Sequence, residues 1–204
     1  MKKVILISFL AMALLLADCG QPETDDREFA AREFLTQLLY EDSELQQAIL
    51  DNVTVIGVGA SAPSEEELAA REEQEASLTK MLHDRFDGLV SPRLFDRSAQ
   101  DGSLIQWQSL LAFTGAKAYL RECSFTDEDG RLVFEATVHC VNGDEENDLP
   151  LQGEVVFNED GLIDSFSLYE DGSGDPAGFT SWLRAQNTIS AAMQERIDAV
   201  TSAE

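Results

Sequence analysis

The sequence feature that most constrains the fold is a segment of alternating polarity in the second half of the chain. Between residues 131 and 141, apolar side chains fall on every second position: Leu132, Phe134, Ala136, Val138 and Cys140. A period of two places these side chains on one face of a β-strand. The segment therefore predicts a strand with one face in a core.

Further strands are predicted from about Lys117, at Leu151–Phe157 and at Leu162–Tyr169. The Asp129-Gly130 and Asp160-Gly161 pairs predict two-residue hairpin turns, because both residue types tolerate positive φ. A looser loop is expected at residues 142–150. Together these strands predict an antiparallel meander.

Helical periodicity dominates the residues before this sheet. Helices are predicted at Asp26–Tyr40, Ser43–Leu50 and Ser64–Phe86, with a strand at Val53–Val58 and a loop at residues 88–103. The third helix has the clearest start, because Ser64 and Glu67 have the spacing of a capping box. Its apolar stripe is expected at Leu68, Leu78, Leu82 and Phe86.

A final helix is predicted to begin at Asp175-Pro176, where a cap residue and a first-turn proline occur in order. Its apolar stripe, packed on the sheet, is expected at Trp182, Ile189, Met193, Ile197 and Val200. The predicted fold class is α+β, with N-terminal helices packed on a curved antiparallel sheet, plus a C-terminal helix. Residues 26–204 are expected to form one domain.

Residues 1–18 have the pattern of a secretory signal peptide. Lys2 and Lys3 precede the apolar run Val4–Ala17, which is shorter than the roughly 20 residues that span a bilayer. Export of the remaining chain is expected.

The end of this run, Leu16-Ala17-Asp18-Cys19, resembles the lipobox of bacterial lipoproteins. The resemblance implies cleavage before Cys19, acyl chains on that residue and a polar tether at residues 19–25. Gly20, after the cysteine, implies delivery to the outer membrane with the domain facing the periplasm. The alternative is ordinary cleavage nearby, which would give a secreted periplasmic protein.

The chain is strongly acidic, with 39 Asp and Glu against 14 Lys and Arg, a formal net charge of -25 and a pI of about 4.1. Such a surface repels phosphate backbones, which excludes nucleic acid as a partner. The acidity agrees with a soluble, self-repelling surface. Cation binding or a basic protein partner would explain it as well.

Cys123 and Cys140 are candidates for a disulfide, because export would place them in an oxidising compartment. In the first hairpin, Cys123 would face Ala136. Cys140 would face Tyr119. The two cysteines would then share a face but lie roughly 13 Å apart, whereas a disulfide needs about 4.4–6.8 Å between α-carbons. The bond requires a bulge, a bend or an irregular turn.

Asp164 is the candidate catalytic residue. In a hairpin with a two-residue turn it would face Phe157 and share the apolar side with Phe166. A carboxylate there is unfavourable unless it is paired or hydrated, and such a position suits a general base. The alternative is a hydrated position at the sheet rim. The candidates for lining the same hollow, or for packing in the core, are Trp107, Tyr119, Phe166 and Trp182.

No cofactor or metal site is predicted. Gly57–Ala62 matches the dinucleotide fingerprint formally, but the helix after it starts with Glu65, and a pyrophosphate needs a positive helix start. Calcium-loop spacing fails at both Asp-Gly turns, because an apolar residue would occupy the first ligand position. His83 and His139 lie in no zinc-ligand spacing.

The last predicted hairpin, Val155–Tyr169, has the sequence VVFNEDGLIDSFSLY. Such a hairpin after N-terminal helices resembles the cystatin-like cone of the nuclear-transport-factor-2-like superfamily. The resemblance implies a curled sheet around a hollow. Members include small-molecule isomerases and cyclases, binding modules and dimerisation domains, so the resemblance does not decide the function.

The sequence favours a lipid-anchored, non-catalytic domain of the cell envelope that binds an unknown small molecule or envelope protein. One alternative is a cone-pocket enzyme, of isomerase or hydrolase type, with Asp164 as general base. Such an enzyme would need Asp164 in a deep pocket with a second polar group within reach. The other alternative is an assembly protein that forms a homodimer through the C-terminal helix or the outer sheet face.

Overall fold

The computed structural model describes residues 23–52, 63–169 and 178–201. Within these ranges the chain forms seven helices and one four-stranded antiparallel sheet, which confirms the predicted α+β class. The helices are α1 (Glu23–Leu39), α2 (Ser43–Asp51), α3 (Glu65–Phe86), α4 (Pro92–Asp101), α5 (Gln106–Thr114), α6 (Phe179–Arg184) and α7 (Ala191–Thr201). The strands are β1 (Lys117–Glu128), β2 (Arg131–Asn142), β3 (Glu145–Phe157) and β4 (Ile163–Leu168).

The sheet is a meander with the strand order β1-β2-β3-β4, as the alternating pattern predicts. Strand β2 alternates as expected, and its buried side chains are Leu132, Phe134, Ala136, Val138 and Cys140. The first hairpin turns at Asp129 and Gly130, whose φ values of 54° and 82° suit a two-residue turn. The first predicted turn is therefore confirmed.

The predicted loop at residues 142–150 is wrong, because strands occupy almost all of it. The turn between the paired residues Asn142 and Glu145 contains only two residues. Pro150 lies inside β3, at a point where β2 alone among the described strands pairs with it, because β4 pairs with β3 only from Gly153 onward. An edge position tolerates the missing N–H of proline. The proline therefore did not mark a break in the strand.

The third hairpin is longer than the predicted two-residue turn. Ile163, not Asp164, pairs with Phe157, and the register shifts at this point. Asn158 causes the difference: its backbone N–H donates to the carbonyl oxygen of Leu162 at 2.9 Å, and its side-chain oxygen accepts two further backbone N–H groups. The shift places Ile163 in the core, where it is fully buried.

The helices cover one face of the sheet and form a filled core with it. Phe34 of α1 lies 5.9 Å from Phe86 of α3 and 5.1 Å from Phe166 of β4, measured between ring centroids. The ring of Phe134 lies over Gly153 in the paired strand, where an added Cβ would be 2.8 Å from the ring. Close packing therefore requires glycine at position 153.

Residues 88–103, predicted as a loop, contain helix α4. The Ser91 hydroxyl accepts the backbone N–H of Leu94 at 3.1 Å, Pro92 occupies the first turn, and Gly102 follows the helix with φ 71°. These are ordinary start and stop signals. The helix is short and mostly polar, so hydrophobic periodicity did not indicate it.

The predicted single C-terminal helix is two helices, α6 and α7. The connection between them is fixed by the backbone N–H of Ser190, which donates to the carbonyl oxygen of Phe113 in α5 at 2.7 Å. Ile189, predicted to be in the apolar stripe, lies in this connection and is 54% exposed. The apolar stripe of the sequence is thus divided between two elements.

Several predictions lie outside the described residues. They are the signal peptide at residues 1–18, Cys19 with most of the tether, the dinucleotide-like segment, the strand at Val53–Val58 and the helix start at Asp175-Pro176. Residues 23–25, predicted as the end of the tether, form the first turn of α1.

Candidate functional site

Asp164 lies at the junction of β4 and helix α4. Its Oδ1 accepts a hydrogen bond from the Ser91 hydroxyl at 2.6 Å, and its Oδ2 lies 2.8 Å from a guanidinium nitrogen of Arg93. Ser91 is buried and caps α4, whereas the Arg93 side chain is 74% exposed. The carboxylate therefore joins two elements with both of its oxygens occupied. This arrangement favours a structural role over that of a general base.

The four aromatic candidates have separate partners. Trp107 packs edge-on against Phe179 at 5.2 Å, and Phe166 packs edge-on against Phe34. Tyr119 is 43% exposed, and its hydroxyl donates to Glu41 Oε2 at 3.4 Å. The Trp182 indole N–H donates to Glu145 Oε1 at 3.4 Å. Core packing accounts for the first two, and none of the four lines the hollows described below.

Cys123 and Cys140 are both free in the structure. Cys123 pairs with Ala136, as predicted, whereas Cys140 pairs with Ala118 because of a bulge between Leu120 and Glu122. The bulge does not shorten the four-residue separation along β2 between the two positions. Burial raises the pKa of the Cys123 thiol to about 11 and that of Cys140 to about 12. Both thiols are therefore protonated and unreactive at neutral pH.

Arg85, near the end of α3, is a structural centre that the sequence analysis did not identify. Its guanidinium donates to the carbonyl oxygens of Gln37, at 2.7 and 2.8 Å, and of Tyr40, at 2.7 Å. It also lies 3.2 Å from the carboxylate of Asp42, which caps α2. Burial lowers the pKa of Arg85, although Asp42 and Tyr40 act in the opposite direction. The side chain satisfies carbonyls at the end of α1 that have no helical partner.

A surface hollow of about 340 Å³ lies beside this centre, where the end of α3 meets α4 and the β3–β4 turn. We call it the His83 groove. Its lining residues are His83, Phe86, Asp87, Gly88, Val90, Pro92, Phe95, Asp96 and Leu162. Phe86 and Val90 are buried, and Phe95 and Leu162 are half-buried. The His83 ring meets the Phe95 ring edge-on at 5.4 Å. The groove therefore has an apolar floor that solvent reaches in part.

Asp87 and Asp96 are exposed at this groove. Neither carboxylate forms a hydrogen bond or an ion pair with any residue in the described ranges. The two arginines of α4 are directed to other acids: Arg93 pairs with Asp164, and Arg97 lies 4.0 Å from Asp101. Two carboxylates thus border an apolar hollow without a cationic partner among the described residues.

A second, more open hollow of about 550 Å³ follows α3 away from the first. It is lined by Glu72, Glu75, Ala76, Thr79, Lys80 and His83. Because His83 belongs to both hollows, they form one continuous surface. Lys80 is paired with Asp84, one turn further along α3. The extended surface therefore carries four acids that border a hollow, at positions 72, 75, 87 and 96.

The groove combines residues from elements that sequence analysis did not place together. The end of α3 was predicted, but α4 was not, and Leu162 was assigned to a strand rather than a turn. The sole sequence signal for the groove was Phe95 beside Asp96, which by itself is too common to indicate a site.

The described residues contain no group of three His, Cys, Asp or Glu side chains that could hold a metal ion. Within the same ranges, none of the helices is long and apolar enough to cross a membrane. No protein-family model, curated protein or solved structure matches the chain. The resemblance to the cystatin-like superfamily therefore stays a prediction from the sequence.

Proposed function

We propose that the protein is a non-catalytic binding module, tethered to the outer membrane through a lipid on Cys19 and facing the periplasm. The observation that carries the binding role is the His83 groove. It offers an apolar floor of ligand-pocket dimensions, since binding sites commonly measure about 300–1,000 Å³. Two carboxylates without partners in the described ranges stand at this floor.

The position of Asp164 favours binding over catalysis. A general base must lie within hydrogen-bond reach of the substrate proton that it abstracts. Both oxygens of Asp164 already have partners, and Asp164 is absent from the lining of the His83 groove. Its second polar neighbour, Ser91, is used as the cap of α4.

The tether rests on the sequence of the first 25 residues. A leader with Lys2 and Lys3, an apolar run and Cys19 has the order of a lipoprotein precursor. Two or more acyl chains on Cys19 would hold the domain stably at a bilayer, whereas one chain binds only marginally.

Metabolic labelling with an alkyne fatty acid tests the tether. In a bacterial host, the wild-type chain is expected to carry the label and to sediment with the outer membrane. Cys19→Ala is expected to lose both the label and the membrane association. The matched control is Cys123→Ala, which removes a different thiol and keeps the label. A wild-type chain that is unlabelled and freely soluble would overturn the tether.

The homodimer hypothesis has a separate test in sedimentation velocity. A dimer formed through the C-terminal segment would be lost in Met193→Glu, because a charge would enter the interface. A net charge of -25 opposes self-association of this chain. We therefore expect a monomer for both the wild type and the variant, and a dimer that Met193→Glu dissociates would replace the proposed role.

A further inference from the structure

The geometry points to one class of occupant for the His83 groove: a basic peptide segment of a partner protein, with an apolar side chain flanked by lysine or arginine. This inference rests on the binding role proposed above but does not depend on the tether. The apolar side chain would lie on the floor formed by Phe95 and Leu162. The flanking cations would contact Asp87 and Asp96.

The floor determines the apolar part of the occupant. Phe95 and Leu162 are only half-buried, so a side chain placed against them would remove further apolar surface from water. The volume of about 340 Å³ is at the lower end of ligand sites. It accommodates one or two side chains rather than a large metabolite.

The carboxylates determine the charge of the occupant. Asp87 and Asp96 lack partners within the described ranges, while Arg93 and Arg97 of the adjacent helix are directed to other acids. An incoming cation would therefore compete with no cation from the part of the chain that the structure describes. A guanidinium or ammonium group on these carboxylates forms charge-assisted hydrogen bonds.

Acidic residues outside the groove also favour a basic occupant. The continuous hollow along α3 adds Glu72 and Glu75, and Lys80 is neutralised by Asp84. A net charge of -25 attracts cationic partners over long range and speeds their encounter. Further basic residues of the same segment would lie along this second hollow.

Other occupants fit less well. A second copy of this chain carries the same charge of -25 and would be repelled. An anionic lipid surface would be repelled for the same reason. A divalent cation would need more ligands than the described residues bring together. A basic protein segment satisfies both the floor and the carboxylates.

Fluorescence anisotropy with three labelled peptides and the purified full chain tests the inference. The peptides are KKLKK, the serine version KKSKK and the acidic version EELEE. KKLKK is expected to bind best, KKSKK several-fold more weakly because the apolar contact is lost, and EELEE not at all. Equal binding of KKLKK and KKSKK would overturn the role of the floor.

Matched double variants distinguish peptide binding at the groove from non-specific attraction to the negatively charged surface. Asp87→Asn with Asp96→Asn should weaken KKLKK binding by about tenfold, as for the loss of two surface ion pairs. The control, Glu128→Gln with Glu146→Gln, removes the same charge from exposed sites on the sheet. It should weaken binding by less than about twofold. Equal weakening in the two double variants would overturn the inference.

Leu162→Ala provides a second, uncharged test, since the side chain lies in a turn and is only half-buried. It should weaken binding of KKLKK several-fold and leave binding of KKSKK unchanged. Unfolding midpoints of all variants show whether each is folded. Failure of peptide binding with normal acyl labelling would remove this inference alone, whereas failure of labelling with normal peptide binding would remove only the tether.

Discussion

The two ends of helix α3 are stabilised in different ways. At the C-terminal end, Arg85 donates to two carbonyls of the α1–α2 corner, and Phe86 is 1% exposed against Phe34. At the N-terminal end, every residue from 65 to 77 is exposed. There the first turn of the helix is stabilised by the capping box of Ser64 and Glu67. One continuous helix is thus stabilised by tertiary contacts at its C-terminal end and by local hydrogen bonds at its N-terminal end.

Correct prediction of a helix from its sequence therefore does not predict which of its apolar residues are buried. Of the expected stripe, Phe86 is buried, whereas Leu68 is 46% exposed. The exposed half carries six acids among residues 65–75 and one arginine. The buried end provides the wall of the His83 groove. The same helix therefore packs into the core at one end and presents an acidic surface at the other.

Phe86→Ala is expected to give the largest effect in this comparison. Removing the buried ring should lower the free energy of unfolding by about 3–5 kcal/mol, because a cavity would remain beside Phe34. Leu68→Ala, at the exposed end, should change it by less than about 0.5 kcal/mol. Urea denaturation followed by circular dichroism measures both. Comparable losses would show that the two ends do not differ.

Arg85→Met is expected to give the second-largest loss in the free energy of unfolding. The carbonyl oxygen of Gln37 would lose both of its hydrogen bonds from the guanidinium, and the Asp42 carboxylate would lose its ion pair. The carbonyl oxygen of Tyr40 would keep only its hydrogen bond from the Gln108 side-chain amide, at 3.0 Å. The loss should be about 2–3 kcal/mol, discounted because the Asp42 side chain is 36% exposed. Arg71→Met, in the exposed half, is the matched control and should fall within about 0.5 kcal/mol of the wild type. A small loss at position 85 would contradict the role of the guanidinium.

Ser64→Ala should weaken the exposed end without unfolding the domain. Loss of the cap is expected to reduce the local stability of the helix by about 1 kcal/mol. Amide hydrogen exchange of the first turns of α3 should become faster, while exchange in β2 and β3 stays the same. A matching loss in global stability would mean that the exposed end is coupled to the core.

The stability that the cap gives to the first turn of α3 should also depend on pH. Hydrogen bonds from the backbone N–H and the hydroxyl of Ser64 hold the pKa of Glu67 below its ordinary value of 4.5. The stabilisation is therefore present above pH 4.5 and is lost as the pH falls through the lower, folded-state pKa. Exchange rates of the first turn measured on acidification should show this loss, and Glu67→Gln should abolish the dependence.

The sequence predicted those elements whose signals are local. The capping box at Ser64, the alternation of β2 and the turn at Asp129-Gly130 each depend on residues close in sequence. Prediction failed where the conformation of a residue depends on a partner that is distant in sequence. Pro150 indicated a loop, but it occupies a strand edge that only the sheet order reveals.

The candidate site was less predictable than the fold. Asp164 was identified as unusual on its face, yet its partners Ser91 and Arg93 belong to a helix that was not predicted. The His83 groove is lined by two consecutive helices, α3 and α4, together with Leu162, which is far along the chain. No pattern within a single element reports which carboxylates remain without a cation, since that depends on where every arginine is directed.

The α+β class, the meander, the cap of α3 and the acidic character of the chain are readable from the sequence, because they follow from periodicity, short-range hydrogen bonding and charge count. The register of the last hairpin, the burial of Arg85 and the contact of the end of α3 with Leu162 are visible only in the folded chain. These features depend on partners that are distant in the chain. The backbone of Ile163 forms hydrogen bonds with Leu89 and Ser91, and the Asp164 carboxylate contacts Ser91 and Arg93.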